Sequence, residues 1–330
     1  MEPRSTVSIK LVLALVAAIF AWQAYQAATG PIGSGEAYLY DRFVRPPVRQ
    51  TLEQELPNRD VFYTMLEKRS VGLFHVSPLS VRLPALLFLF PFLWSVWCLM
   101  GKGWTGVAGI AITGALAVKW HWFSTADGFG AALALQACGL YLAGKYLTRL
   151  QSPRAFYLNL CGICLGLSVA AHRDSASAAA AVGVFILLVL LRQQRNLFLW
   201  TDRLLVTGAV TAFLFLVLPL SHAHAAAENP PELTRDQSVR LQKALDTLGA
   251  SAGRDPVRIG ASASVEPVVN FYRAQHRVNT WGRADRELAS RPFDYYLLSG
   301  PDTHYVERRH LVVIYRDADF AVARTSPAAL

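Results

Sequence analysis

The sequence predicts a mainly α-helical, polytopic membrane protein with about seven transmembrane helices and a small C-terminal extracytoplasmic α/β domain. Three observations predict this fold class: an apolar composition, long apolar runs, and a polar tail large enough to fold by itself. Of the 330 residues, 53% are hydrophobic and 17% are charged, whereas soluble domains carry roughly 25% charged residues. The net charge of +9 comes largely from short loops beside apolar runs, so we predict a bilayer partner and no nucleic acid.

The apolar runs have the length of membrane-spanning helices. A helix needs about 20 apolar residues to cross a hydrocarbon core that is ~30 Å thick. We expect spans at 9–28, 81–100, 104–119, 128–147, 155–171, 175–191 and 204–222. The first run also has the basic start of a signal peptide, and its long apolar stretch favours an uncleaved anchor.

The positions of the basic residues predict the orientation of the spans. Short cytoplasmic loops carry an excess of Lys and Arg. With the N-terminus in the cytoplasm, the inner segments hold Arg4, Lys10, Lys102, Lys145, Arg149, Arg154, Arg192, Arg195 and Arg203. The short outer loops hold only Lys119 and Arg173. We therefore predict a multi-pass protein of the cytoplasmic (inner) membrane, with its C-terminal domain outside the cytoplasm.

The first outer loop, residues 29–80, is predicted to contain two juxtamembrane helices. The first runs over 35–45, with Ser34 as its N-cap and Pro46 as its stop. The second is predicted to start at Asn58 and to lie on the membrane surface. Its apolar positions are Val61, Met65, Leu66, Val71 and Phe74. The alternative to a catalytic role for this loop is that both helices merely cover the bilayer surface and turn their acidic residues towards water.

Four short motifs follow the first span in a fixed order. They read GEAY at 35–38, LPNRDVFYT at 56–64, SVRLPAL at 80–86 and FSTADGFG at 123–130. In this order and topology the chain resembles the GT-C superfamily of membrane glycosyltransferases, and within it bacterial family 39 or mannosyltransferase-like members. The resemblance covers roughly residues 10–225 and implies a core of seven spans with two juxtamembrane helices in the first outer loop.

The resemblance implies sugar transfer from a polyprenyl-phosphate-linked donor to an envelope glycan, lipid or protein acceptor at the outer membrane face. Such a reaction needs a carboxylate to deprotonate the acceptor and cationic side chains to stabilise the departing phosphate. The predicted catalytic carboxylates are Glu36, as the leading base, Asp60 and Asp127. The predicted phosphate and donor contacts are Arg59, Arg82, His172, Arg173 and Asp174.

Two departures from the family pattern keep other functions open. Gly35 stands where the family has its first aspartate, and Thr125 stands where it has the acid of the fourth motif. A non-catalytic GT-C-like protein that binds lipid-linked glycan or a protein partner is therefore the second hypothesis. A transporter or channel subunit is the third, although no internal repeat and no charged residue at mid-span supports it. The sequence predicts no cofactor and leaves a divalent metal open.

The polar tail is predicted to be a separate domain. We divide the chain into a membrane module at 1–225 and an extracytoplasmic domain at 226–330. Within the tail the patterns predict two helices, over 232–249 and 266–276, and strands near 257–260, 293–298, 310–315 and 320–323.

Overall fold

The computed structural model describes residues 9–53, 60–101, 103–148, 155–192, 208, 233–253, 255–289 and 292–325. The chain divides into two compact units. The first unit contains Met1–Thr29, Val48–Phe74 and Leu79–Ala226, and the second contains Gly30–Pro47, His75–Pro78 and Ala227–Leu330. The boundary after Ala226 adjoins the predicted division at 225, but the second unit also includes part of the first outer loop.

The described part of the first unit is helical. Its helices are α1 (Ile9–Thr29), α3 (Val48–Glu53), α4 (Val61–Phe74), α5 (Pro78–Met100), α6 (Trp104–Lys119), α7 (Phe129–Thr148), α8 (Ala155–Ala171) and α9 (Ala176–Arg192). A 3₁₀ turn, Arg173–Ser175, joins α8 to α9. With the short sheet of the second unit, these helices confirm the predicted mainly helical class.

The predicted apolar runs from 9–28 to 175–191 are all helices. Their ends agree with the predicted ends to within a few residues, because long apolar runs define helix length more sharply than local propensity does. The run at 204–222 lies outside the described residues, apart from Gly208. Within the described ranges, α1 and α5 are long and apolar enough to cross a membrane, whereas α6 and α8 are apolar but shorter.

Small and aromatic residues pack the helices of the first unit. On α7, Gly139 lies against the side chain of Leu165 and the backbone of Cys161 on α8. Small residues at such contacts let two helices approach closely. A second cluster forms where Phe92 on α5 meets Phe123, with 5.3 Å between ring centroids. Phe123 precedes the turn that leads into α7, so its contact with Phe92 anchors that turn on α5.

Large apolar side chains are exposed on many helices of the first unit. The exposed set includes Leu13, Trp22, Phe74, Leu87, Trp94, Ile112, Phe156, Phe185 and Leu188. In the described part of the second unit, the corresponding residues are Val239, Val312 and Val313. Among the described residues, exposed large apolar side chains are therefore many in the first unit and few in the second.

Helix α4 buries a polar face. Tyr63, Thr64, Glu67 and Ser70 are all buried, and Glu67 is only 1% exposed. At the end of the helix, Phe74 is 61% exposed. The alternative in which the acidic residues of this helix face water is therefore wrong for Glu67. The helix instead turns Glu67 and its other buried polar side chains inwards.

The second unit contains a small mixed sheet with helices. Its strands are β1 (Ile259–Ala261), β2 (Tyr295–Ser299), β3 (Val312–Arg316) and β4 (Phe320–Arg324), in the order β1-β2-β4-β3. The β1–β2 pair is parallel, and the β2–β4 and β3–β4 pairs are antiparallel. Its helices are α2 (Ser34–Leu39), α10 (Arg235–Ala252), α11 (Glu266–Gln275) and α12 (Tyr305–Arg308). The predicted strands and two long helices of the tail are thus present.

A segment of the first outer loop packs with the tail inside the second unit. Helix α2 continues as a π-helical turn, Tyr40–Val44. The ring of Tyr40 packs edge-on against Phe271 of α11, with 5.2 Å between centroids. The Asp41 carboxylate accepts a hydrogen bond from Arg283 at 2.6 Å. Neither contact follows from local sequence patterns, since each joins residues far apart in the chain.

Candidate active site

Asp60 lies at the start of α4 and points its carboxylate at the turn after α8. Its backbone carbonyl accepts a hydrogen bond from Thr64 at 2.8 Å and so begins the helix. Its Oδ1 accepts a hydrogen bond from the backbone N–H of Arg173 at 3.4 Å. The same oxygen lies 3.7 Å from Nδ1 of His172, and the Asp60 side chain is only 13% exposed. The structure thus brings together two predicted site residues, Asp60 and His172.

The backbone around His172 determines which ring nitrogen carries the proton. Nδ1 of His172 lies 3.0 Å from the backbone carbonyl oxygen of Asp127. A carbonyl oxygen only accepts, so Nδ1 must be the donor. In the neutral ring the lone pair is then on Nε2. Phe129 packs edge-on against the imidazole at 5.8 Å between centroids and helps to hold its orientation.

Gly128 allows the close approach that creates this contact. Its φ is +74°, in the left-handed region, and a Cβ at this position would collide with the carbonyl oxygen of Ala171. Glycine is the residue that adopts such a conformation at least cost. The loop before α7 can therefore lie directly against the end of α8, and the Asp127 carbonyl reaches His172.

Burial controls the protonation of Asp60. Desolvation raises the pKa of its carboxyl from 3.8 to about 7. The neighbouring His172 and the N–H of Arg173 oppose this rise, while the carboxylates of Asp127 and Asp174 add to it. A carboxyl group with a pKa near 7 can accept and release a proton at neutral pH, as a general base or acid must.

The remaining charged residues around the pair are open to solvent. Asp127, Arg173 and Asp174 are exposed. The Oδ1 of Asp127 accepts a hydrogen bond from the N–H of Phe129 at 3.0 Å, which shapes the turn into α7. The site thus combines one buried carboxyl group, one oriented imidazole and an exposed guanidinium on neighbouring residues.

Two other predicted site residues make structural contacts. The Glu36 Oε2 accepts a hydrogen bond from the Gly33 N–H at 2.9 Å, which caps α2. Gly33, rather than the predicted Ser34, is thus the N-cap residue. Arg82 is buried, and its guanidinium donates to the carbonyl of Ala27 at 3.1 Å, near the end of α1. Glu36 belongs to the second unit, whereas Asp60 and Arg82 belong to the first.

Arg59 lies outside the described residues. Across the part of the chain that the structure describes, no group of three or more His, Cys, Asp and Glu side chains could hold a metal ion. The four cysteines, Cys98, Cys138, Cys161 and Cys164, are free thiols.

Sequence reasoning missed two features of the site. It named the side chain of Asp127 as an acid, but the structure uses its backbone carbonyl to orient His172. It also gave no role to Gly128, although the Asp-Gly pair before a helix was a signal for a tight turn. No family model, curated protein or solved structure matches this chain.

Proposed function

We propose that the first unit is a polytopic membrane module with the orientation predicted from the basic loops. The exposed apolar side chains on its helices support this, because monomeric soluble proteins rarely expose so much apolar surface. The buried polar face of α4 supports it as well. In lipid, a helix gains by turning polar groups towards protein and apolar groups outwards. The described second unit, with few exposed large apolar residues, suits the aqueous side.

We further propose that the Asp60–His172 pair belongs to a glycosyltransferase that uses a polyprenyl-phosphate-linked sugar. The single observation that carries the proposal is a buried carboxyl group, with its pKa raised to about 7, beside an oriented imidazole. Structural ion pairs can also shift pKa values, but such shifts concentrate at functional sites. The motif resemblance supplies the reaction class.

The reaction requires one proton transfer and one bond exchange. The acceptor hydroxyl oxygen attacks the anomeric carbon of the donor, and the bond from that carbon to the phosphate oxygen breaks. Ionised Asp60 takes the hydroxyl proton, and polyprenyl phosphate departs with the bonding electrons. His172 lies within 3.7 Å of the carboxylate and stabilises its ionised form when the imidazole is protonated.

Arg173 is the residue that we assign to the departing phosphate. Its guanidinium is exposed, and the backbone N–H of the same residue donates to the Asp60 carboxylate. A planar guanidinium matches the oxygens of a phosphate group. The capping role of Glu36 and the helix contact of Arg82 make these two residues weaker candidates for direct chemistry than Asp60 and Arg173.

A donor-release assay tests the proposal. The full chain, purified in lipid nanodiscs, is supplied with tritiated polyprenyl-phosphate hexose and pentose donors and an envelope extract as acceptor. We expect labelled product and released polyprenyl phosphate, with a loss of about 100-fold or more in D60N. The matched control is D174N, which removes an exposed carboxylate nearby and should keep most of the activity.

The same assay addresses the binding-only hypothesis. Donor that binds to the wild-type chain without release of polyprenyl phosphate would favour a non-catalytic protein that holds lipid-linked glycan. Equal product formation by the wild-type chain and D60N would contradict the assignment of Asp60 as the base.

A further inference from the structure

A polar cavity lies in the second unit, at the end of α11. It has a volume of about 320 Å³ and is lined by Arg273, Ala274, Arg277, Val278, Asn279 and Trp281. Cavities of this size hold small ligands. Its two arginines and one amide give it the chemistry of an oxyanion site.

Arg273 is held in position while remaining rich in hydrogen-bond donors. Its guanidinium donates to the carbonyl of Trp281 at 3.1 Å. That single bond leaves other N–H groups of the planar fork for a ligand. Burial lowers the pKa of Arg273, and the nearby positive charges of Arg45 and Arg283 lower it further. An anion in the cavity would relieve this repulsion.

Asp41, an acidic residue near Arg273, already binds two other arginines. Asp41 accepts a hydrogen bond from Arg45 at 2.9 Å and another from Arg283 at 2.6 Å. Its side chain is 8% exposed. Glu266 is a second acidic group in this neighbourhood and interacts with Arg283 and Arg286. Among the described residues, the arginines Arg45, Arg273, Arg283 and Arg286 thus outnumber the two carboxyl groups.

The backbone conformation of Arg277, a second arginine of the cavity wall, is unusual for its residue type. It has φ +52°, a left-handed conformation, directly after the residue that ends α11. Glycine or asparagine is the usual residue at this position, because a side chain there is strained. Within the described residues, no acidic side chain forms an ion pair with Arg277. The chain thus keeps a cation on the cavity wall at a position where its backbone favours glycine.

We propose that the Arg273–Arg277 cavity binds the phosphate group of a phosphate ester. Two guanidinium groups match the oxygens and the charge of a phosphate. The Asn279 amide can bind a neighbouring hydroxyl or ester oxygen. The ester can be a soluble sugar phosphate or a lipid headgroup, since both present the same group. The inference does not rest on Asp60 or on glycosyl transfer.

Calorimetric titration with α-glucose 1-phosphate tests the inference. The full chain is held in nanodiscs of zwitterionic phosphatidylcholine at low salt, and glucose serves as the uncharged control ligand. We expect saturable binding below about 10 mM for glucose 1-phosphate and none for glucose. In R277G, which relaxes the strained backbone, the dissociation constant should rise about tenfold, as loss of a charged hydrogen bond implies.

Two variants separate a loss of binding from a loss of folding. H310G replaces another left-handed residue just after a helix of the same unit (φ +49°), and R308Q removes an exposed positive charge nearby. Both should bind glucose 1-phosphate as the wild-type chain does. Equal binding by R277G and the wild-type chain would overturn the inference. It would also be overturned if glucose 1-phosphate bound in neither phosphatidylcholine nor phosphatidylglycerol nanodiscs.

A second titration distinguishes the sources of the phosphate. It repeats the experiment in nanodiscs of anionic phosphatidylglycerol. If lipid headgroups occupy the cavity, the apparent affinity for glucose 1-phosphate should fall relative to phosphatidylcholine, and R277G should remove this difference. If the natural ligand is soluble, the affinity should be similar in both lipids. Either result supports a phosphate site and assigns its source.

Discussion

The carboxylate of Asp60 lies 3.7 Å from Nδ1 of His172, although the two residues belong to different helix ends far apart in the sequence. The same imidazole nitrogen donates to the Asp127 carbonyl. The geometry therefore holds one proton on Nδ1, and burial raises the pKa of the Asp60 carboxyl to about 7. This pair is the centre of the proposed chemistry, and its consequences can be measured separately from transfer.

The raised pKa of Asp60 predicts a pH-dependent effect on stability. Because the folded carboxyl has a pKa of about 7 and an ordinary value of 3.8, the folded chain keeps a proton that the unfolded chain loses between these values. Its contribution to stability is therefore present at low pH and declines as the pH rises towards 7. We expect D60N to raise the melting temperature at pH 8 and to leave it unchanged at pH 4.

Thermal unfolding in detergent at the two pH values checks this prediction. D174N is the control, since Asp174 is exposed and its replacement should have little effect at either pH. A melting temperature for D60N below that of the wild-type chain at pH 8 would mean that the ionised carboxylate stabilises the fold.

Substitution of Gly128 is expected to destabilise the first unit. Alanine would be strained at φ +74° and would collide with the Ala171 carbonyl. We expect G128A to cost about 2–5 kcal/mol in the free energy of unfolding. The control is G183A in α9, where a Cβ meets no atom within 4 Å and alanine favours the helix. Equal unfolding curves for the two variants would contradict the close approach at Gly128.

The capping bond of Glu36 predicts a structural rather than a catalytic effect. E36Q keeps a side-chain oxygen that can accept the Gly33 N–H, whereas E36A removes it and should destabilise α2 by about 1 kcal/mol. Hydrogen exchange of the amides at 33–37 measures this difference. Transfer by E36Q should match the wild-type rate. Loss of transfer in a normally folded E36Q would restore Glu36 as the leading base.

The Asp41–Arg283 ion pair should contribute modestly to the packing of the first-loop segment. Their atoms are 2.6 Å apart, but the Arg283 side chain is 54% exposed, and solvent weakens such pairs. A double-mutant cycle with D41N and R283Q should give a coupling of about 0.5–1 kcal/mol, measured by hydrogen exchange at 40–44. The comparison pair is Arg258–Asp294, which is 3.9 Å apart and more exposed, and its coupling should be close to zero.

Helix positions could be predicted because their cause is local. Long apolar runs locate α5 and α7, and short β-rich runs between turns locate strands such as β2. The placement of the first-loop segment could not be predicted, because the contacts of Tyr40 and Asp41 are with residues of the tail. The buried polar face of α4 was missed for another reason: the burial of Glu67 depends on the elements packed around the helix, which its local residue pattern does not contain.

The candidate site was only partly predictable. Asp60 and His172 follow from a motif and from their places beside predicted helices. The raised pKa of Asp60 depends on burial, which no spacing reveals. The use of the Asp127 backbone depends on the left-handed Gly128 and on the helix end that it touches. Likewise, Glu36 is a helix cap because its carboxylate folds back on Gly33, a local contact that a motif comparison passes over.

The dependence of donor turnover on pH tests the central claim most directly. With Asp60 as the base, kcat/KM for a polyprenyl-phosphate-linked sugar should rise from pH 6 to pH 8 with an apparent pKa of about 7. D60N should lose this rise together with most of the rate, while D174N keeps both. A flat profile in the wild-type chain, or the same rise in D60N, would contradict the account.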